Sequence, residues 1–126
     1  MSEENVELVR RIHERWDRGE SIRDLVADDL EYVNPTYAVE PGTRVGRRFF
    51  GSVLDTYPDF VFHPERYVDA GDDVVVLGRY TASGGVSGIP VEGDHGYVWT
   101  VKDGVAVRFK WFQSHAEALE AAGVTE

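Results

Sequence analysis

Residues 91–113 read VEGDHGYVWTVKDGVAVRFKWFQ, and their reading decides the fold. Val91 to Val101 and Val105 to Gln113 are rich in β-branched and aromatic residues, as strands are. Between them Lys102-Asp103-Gly104 supplies an Asp-Gly pair, which tolerates the positive φ angles that a tight antiparallel hairpin demands. Working toward the N-terminus, Val74 to Ser83 is another β-rich run, with Gly84-Gly85 opening the loop that follows it. Ala70-Gly71-Asp72-Asp73 is a turn, and Phe60 to Asp69 reads as the strand before it. Four strands in succession predict an antiparallel meander.

The rest of the chain reads as mostly helical. Val6, Val9, Ile12, His13 and Trp16 recur at helical spacing and give the first segment one apolar face. Ser2 can cap it, Glu3 and Glu4 suit its positive end, and Gly19 can close it. A short second helix is expected around Ile22 to Val26, ending at Asp28-Asp29. Leu30, Tyr32 and Asn34 alternate with Glu31 and Val33 as a short strand stopped by Pro35. Residues 35–44 read as a loop, and Phe49, Phe50, Val53, Leu54 and Tyr57 as a third helix ended before Pro58. Ser114-His115-Ala116-Glu117 is a capping box for a last helix that ends at Gly123. Helices first and a meander after them make an α+β fold. A sheet curled around the long helix would open a conical cavity between them.

The totals agree with one domain over residues 1–126, since a chain this long can bury an adequate core unaided. It is 42% hydrophobic and 12% aromatic. There is no cysteine, which removes disulfides, thiolate nucleophiles and sulfur-ligated metals. With 23 acidic against 13 basic residues the net charge is −10, which disfavours nucleic acid and anionic membrane surfaces as partners. The acidic N-terminus is unlike a signal peptide, and no apolar run is long enough to span a bilayer, so a cytoplasmic location is expected. The four histidines are scattered without ligand spacing, and no metal or cofactor is expected.

Several segments together resemble a SnoaL-like protein of the nuclear transport factor 2-like superfamily. They are Val6-Glu7-Leu8-Val9-Arg10-Arg11, Arg18-Gly19-Glu20, Asp28-Asp29 before Glu31-Tyr32-Val33-Asn34-Pro35, Asp69 to Val76, Val98 to Gly104, and Ala116 to Gly123. The resemblance implies a cone-shaped α+β barrel, a curved antiparallel sheet wrapped around the N-terminal helix, often paired as a homodimer. Its relatives include ketosteroid isomerases, polyketide cyclases and limonene epoxide hydrolase, so the fold leaves function to the pocket residues.

Laid over this chain, the general base of ketosteroid isomerase falls on Asn34, its tyrosine on Ile12 and its protonated acid near His95. An amide cannot take a proton near neutrality, so that mechanism is not expected. In limonene epoxide hydrolase, Tyr32, Asn34 and Arg79 match the water-holding pair and the arginine. Its two aspartates fall on Thr81 and Trp111, which removes the base.

The two comparisons and a period of two predict an inward set. It comprises Tyr32 and Asn34, Arg79 and Thr81, His95, Tyr97 and Trp99, and Phe109, Trp111 and Gln113, while Arg108 and Lys110 point outward. Such a wall suits a flat apolar ligand. His95, Arg79, Asn34 and Tyr32 are the candidate catalytic residues, and Trp111, Trp99, Tyr97, Phe109, Thr81 and Gln113 the ligand-binding ones. His95 could carry a proton, or lie solvated at a strand entrance. Arg79 could anchor an oxygen, or pair with an acid. Asn34 could hold a water or carbonyl, or cap the turn at Pro35. Trp99 and Trp111 could equally be core. His13 reads as a hydrogen-bonded core histidine, His63 as exterior, and His115 as part of a cap. Ser83 to Gly88 reads as a loop at the cavity mouth, with outward Tyr80 and Phe112 available to an interface. The expected functions are a cofactor-independent isomerase, cyclase or lyase acting on an apolar carbonyl compound, a non-catalytic binding module for an apolar ligand, or a homodimeric interaction domain.

Overall fold

The computed structural model describes residues 2–38, 40–51, 54, 57–84 and 89–124. It opens with helix α1, Ser2–Asp17. Leu8, Val9, Ile12 and His13 are its buried face. The helix ends where expected: Gly19, at φ 71°, donates its N–H to the Trp16 carbonyl, and Glu20 N–H reaches Arg15 O.

Six strands follow: β1 Val26–Asn34, β2 Gly42–Val45, β3 Val61–Ala70, β4 Asp73–Gly84, β5 Ile89–Lys102 and β6 Val105–Phe112. They form one curved, open sheet in the order β2-β1-β6-β5-β4-β3. The β3 to β6 meander is as predicted, with boundaries within about two residues. At the β5–β6 turn, Asp103 (φ 52°) and Gly104 (φ 80°) take the left-handed conformations the hairpin requires. A 3-10 turn spans Arg47–Phe49, and helix α2, His115–Ala121, closes the chain. The Ser114 side chain accepts from Glu117 N–H, as the capping box predicts.

Four expectations change. The sheet is mixed, because β1 pairs in parallel with β6. Alternation along a strand encodes its faces but not the direction of its neighbour. The helix expected at Ile22 to Val26 is a turn leading into β1, which starts at Val26 rather than Leu30. Five residues are too few to repay helix nucleation. Asp28 and Asp29 fall within β1, where its register against β6 shifts between Val26 and Glu31. Part of the loop 35–44 is β2, an exposed edge strand paired with Glu31 to Asn34 and so lacking an apolar signal. Of the third helix, Arg47–Phe49 is a 3-10 turn, and Val53 lies outside the described residues.

The sheet buries both faces. On the inner side α1 packs mainly against β3, also touching β4, and encloses Val74, Val76, Trp99 and Phe109. On the outer side α2 covers Val75, Leu77 and Val98 through Ala118. Gly96 makes that approach possible, since a Cβ there would stand 2.5 Å from the Ala118 Cβ. No helix among the described residues is long and apolar enough to cross a membrane.

Candidate functional site

Side chains do not fill the space between α1 and the inner face of the sheet. A cavity of about 410 Å³ remains, within the usual range for small-molecule sites. Its described lining is His13 and Trp16 from α1, Tyr32 and Asn34 from β1, and Phe50, Gly51, Tyr57 and Phe60 from the connection between β2 and β3. Phe62, Tyr80, Ala82, Val91, His95, Tyr97, Phe109, Trp111 and Gln113 complete it from β3 to β6 and the residue after β6. His13, Phe62 and Phe109 are among its most deeply buried lining residues, 3 to 4% exposed, and Val91 at 38% lies toward solvent. None of these residues is Asp, Glu, Lys or Arg, although the protein carries a net charge of −10. A charge there would lose its hydration without gaining a partner.

The polar groups of the wall are therefore neutral. His95 projects from β5 among the rings of Phe60, Tyr80, Tyr97 and Trp111, at 4.3 to 5.8 Å between centroids. Its Nδ1 lies 2.9 Å from the Tyr97 hydroxyl. Burial lowers its pKa from 6.5 to about 4 and pushes the Tyr97 phenol up. Both groups are thus neutral at pH 7. His13 is buried, accepts at Nε2 the Trp99 indole N–H at 3.0 Å, and has its pKa lowered by burial to about 3. Asn34 is braced on both sides. Its Oδ1 accepts from Trp111 Nε1 at 2.6 Å, and its Nδ2 donates to the Glu40 carbonyl at 2.9 Å.

Eight of the ten expected site residues face inward, and seven of these line the cavity: Tyr32, Asn34, His95, Tyr97, Phe109, Trp111 and Gln113. Trp99 points inward but is core, with no exposed surface and its N–H spent on His13. Arg79 and Thr81 lie on the other face. Arg79 is 46% exposed at its side chain and pairs across the sheet with Asp94 at 2.9 Å. Thr81 lies in a shallow outer depression with Asp59, Pro90 and Glu92. Tyr80 correspondingly points in rather than out. The parity of β4 was unreadable because Val74-Val75-Val76-Leu77 is apolar on both faces, one covered by α1 and the other by α2. Desolvating a guanidinium also argues for the outer face.

The sequence reading missed Trp16, Phe50, Tyr57, Phe60, Phe62, Ala82 and Val91. For Trp16 the signal was present: it continues the apolar stripe of α1 one turn past Ile12 and His13. The residues between β2 and β3 carry no period that fixes which way they face. His13 was read as core, which is correct, yet it also lines the cavity.

A long helix laid across a curved open sheet, with an aromatic cavity between them, defines a small-molecule pocket protein of α+β type. The chain belongs to the SnoaL-like domain family, whose sequence profile matches residues 9–109. No protein of curated function matches it in sequence. Among solved structures, an NTF2-like protein of unknown function from Burkholderia pseudomallei is 24% identical. The alignment covers 93% of this chain and 95% of that one, at a TM-score of 0.74. TerC, co-crystallised with polyporic acid, is 22% identical over 95% of this chain and 98% of its own, at 0.72. IdmH of Streptomyces antibioticus, a candidate polyketide cyclase, is 21% identical over 94% and 97%, at 0.70. At these identities the likeness shows the fold.

Proposed function

We propose that the protein is a cofactor-independent enzyme that moves a proton on a neutral, flat carbonyl compound, in an isomerisation or an intramolecular cyclisation. The observation that carries this reading is His95, a neutral imidazole 2.9 Å from the Tyr97 hydroxyl, in an aromatic cavity whose described lining holds no Asp, Glu, Lys or Arg. With Nδ1–H donating to the Tyr97 oxygen, Nε2 presents a lone pair to the ligand. That nitrogen takes the proton from the carbon beside the carbonyl, and the C–H electron pair becomes the C=C bond of an enolate. In an isomerisation the conjugated enolate then takes the proton back at a different carbon, and in a cyclisation its carbon attacks a second carbonyl of the same molecule and His95 protonates the new alkoxide. Neither course consumes an oxidant, a reductant or a co-substrate. The SnoaL-like family and a structural neighbour described as a candidate polyketide cyclase support the same class of chemistry.

The experiment is hydrogen exchange in D2O with a panel of steroid enones, aromatic polyketide-like ketones and terpenoid ketones. Wild-type protein should introduce deuterium beside the carbonyl of at least one, and His95→Gln should abolish it while leaving binding within a few-fold. A second reading, a binding module without chemistry, is favoured by one observation: Asn34, where ketosteroid isomerases place their base, is committed to Trp111 and Glu40. Ligands that bind without any exchange would establish that reading and sink the first.

A further inference from the structure

His13 Nε2 accepts the Trp99 indole N–H at 3.0 Å. An indole nitrogen only donates, so the neutral ring must carry its own hydrogen on Nδ1. Among the described residues nothing accepts from that Nδ1–H. Yet no fully enclosed side-chain nitrogen or oxygen among them lacks a partner. Nδ1 therefore keeps an open surface, and the open space that the 4% exposed His13 lines is the cavity.

This donor is fixed in position and in charge. Turning the ring would strip Trp99 of its acceptor, and protonating Nε2 would do the same. Its complement is an oxygen that only accepts. A carboxylate does not suit, because no described lining residue could offset its charge. A hydroxyl brings a hydrogen of its own that would need burying. A carbonyl meets both conditions. His13 and His95 both pack against the Tyr97 ring, at 5.8 and 5.5 Å between centroids, so a ligand lying along that ring can touch both.

We propose that the Nδ1–H of His13 receives the ligand's carbonyl oxygen at the inner end of the cavity, and that the ligand is a neutral flat ketone or quinone that enters oxygen first. This rests on the reading of the cavity as a site for apolar carbonyl compounds, and it adds the residue that holds the oxygen.

The test compares fluorenone with fluorene, two flat tricycles that differ by the carbonyl. Fluorenone should bind roughly five- to tenfold more tightly, the worth of one hydrogen bond. The preference should vanish in the His13→Phe, Trp99→Phe double variant, which removes donor and indole together, and persist in Arg79→Ala, whose side chain lies on the outer face of the sheet. Equal affinities in the wild type would overturn the assignment of the donor and leave the apolar cavity standing. Binding of neither compound would overturn the cavity reading and this inference with it. A preference that survives the double variant, or disappears with Arg79→Ala, would place the donor elsewhere. Should the double variant fail to fold, nitrogen NMR of the wild type with labelled imidazoles decides the matter. The His13 Nδ1–H signal should move with fluorenone and not with fluorene, and an unmoved signal refutes the proposal.

Discussion

Acidification should unfold this protein through its two cavity histidines. Burial lowers the pKa of His13 from 6.5 to about 3 and that of His95 from 6.5 to about 4. The fold thus binds both rings neutral, while the unfolded chain protonates them below pH 6.5. The unfolded state then holds more protons, so stability is fully present above about pH 6.5 and is lost as pH falls toward 4 and then 3. At pH 5.5 an unfolded histidine is about nine-tenths protonated and neither folded one is. Each ring therefore withdraws about 1.4 kcal/mol between pH 7.5 and 5.5, or about 3 kcal/mol together. Self-repulsion at a net charge of −10 works in the opposite direction, since acid relieves it. The sign of the change thus discriminates between the two causes. Urea unfolding followed by tryptophan fluorescence at pH 7.5, 6.5 and 5.5 measures it, with the m-value checked for constancy. A His13→Gln, His95→Gln double variant should show a much flatter dependence, whatever its absolute stability. Stability that is constant within about 0.5 kcal/mol from pH 7.5 to 5.5, or that rises, would refute the reasoning.

Three further outcomes follow from single contacts. Trp99→Phe deprives the buried His13 Nε2 of its donor and should cost about 1 to 3 kcal/mol in urea unfolding, with fluorenone affinity changing because the His13 tautomer is released. Arg79→Ala should cost less than about 1 kcal/mol and leave the affinity for apolar ketones within about twofold, because its partner Asp94 is exposed like itself and neither lines the cavity; calorimetric titration of both proteins checks it. Gly96→Ala forces a methyl to within 2.5 Å of the Ala118 Cβ, so α2 must lift from β5. Thermal unfolding should register a loss of about 1 to 3 kcal/mol, and amide exchange should quicken in His115–Ala121.

The meander, the two terminal helices and their caps were legible because each is written locally, in an Asp-Gly pair, a 3.6-residue stripe or a Ser-x-x-Glu box. Inward parity was legible on β5 and β6, where His95, Tyr97 and Trp99 alternate with Gly96 and Val98, and Phe109 and Trp111 with Arg108 and Lys110. It was not legible on β4, whose two faces are both buried, and so Arg79 and Tyr80 exchanged sides. The parallel pairing of β1 with β6 joins residues some 80 positions apart, such as Tyr32 and Phe109, and no local pattern carries it. Asn34 shows a subtler limit. Its place in the wall was foreseen, but its commitment to Trp111 and to the Glu40 carbonyl depends on a loop whose course only the fold determines.

The same burial that makes the histidines a liability in acid suits them to the proposed chemistry. A ring with a pKa near 4 is almost wholly unprotonated at neutral pH, so availability of the base costs nothing, but its basicity is weak. Proton abstraction from carbon by so weak a base requires that the developing oxyanion be held by donors already in place. The lining supplies neutral donors, His13 and the tyrosine hydroxyls, and no described cation. Neutral donors lower the barrier less than an arginine or a metal would. The burden passes to the substrate, whose carbonyl must be conjugated so that its enolate is already delocalised. An aromatic wall selects the same molecules by stacking, because extended conjugation keeps them flat. Cavity polarity and cavity shape thus point independently to one ligand class, a conjugated ketone or quinone, and the exchange panel should respond to its conjugated members before its saturated ones.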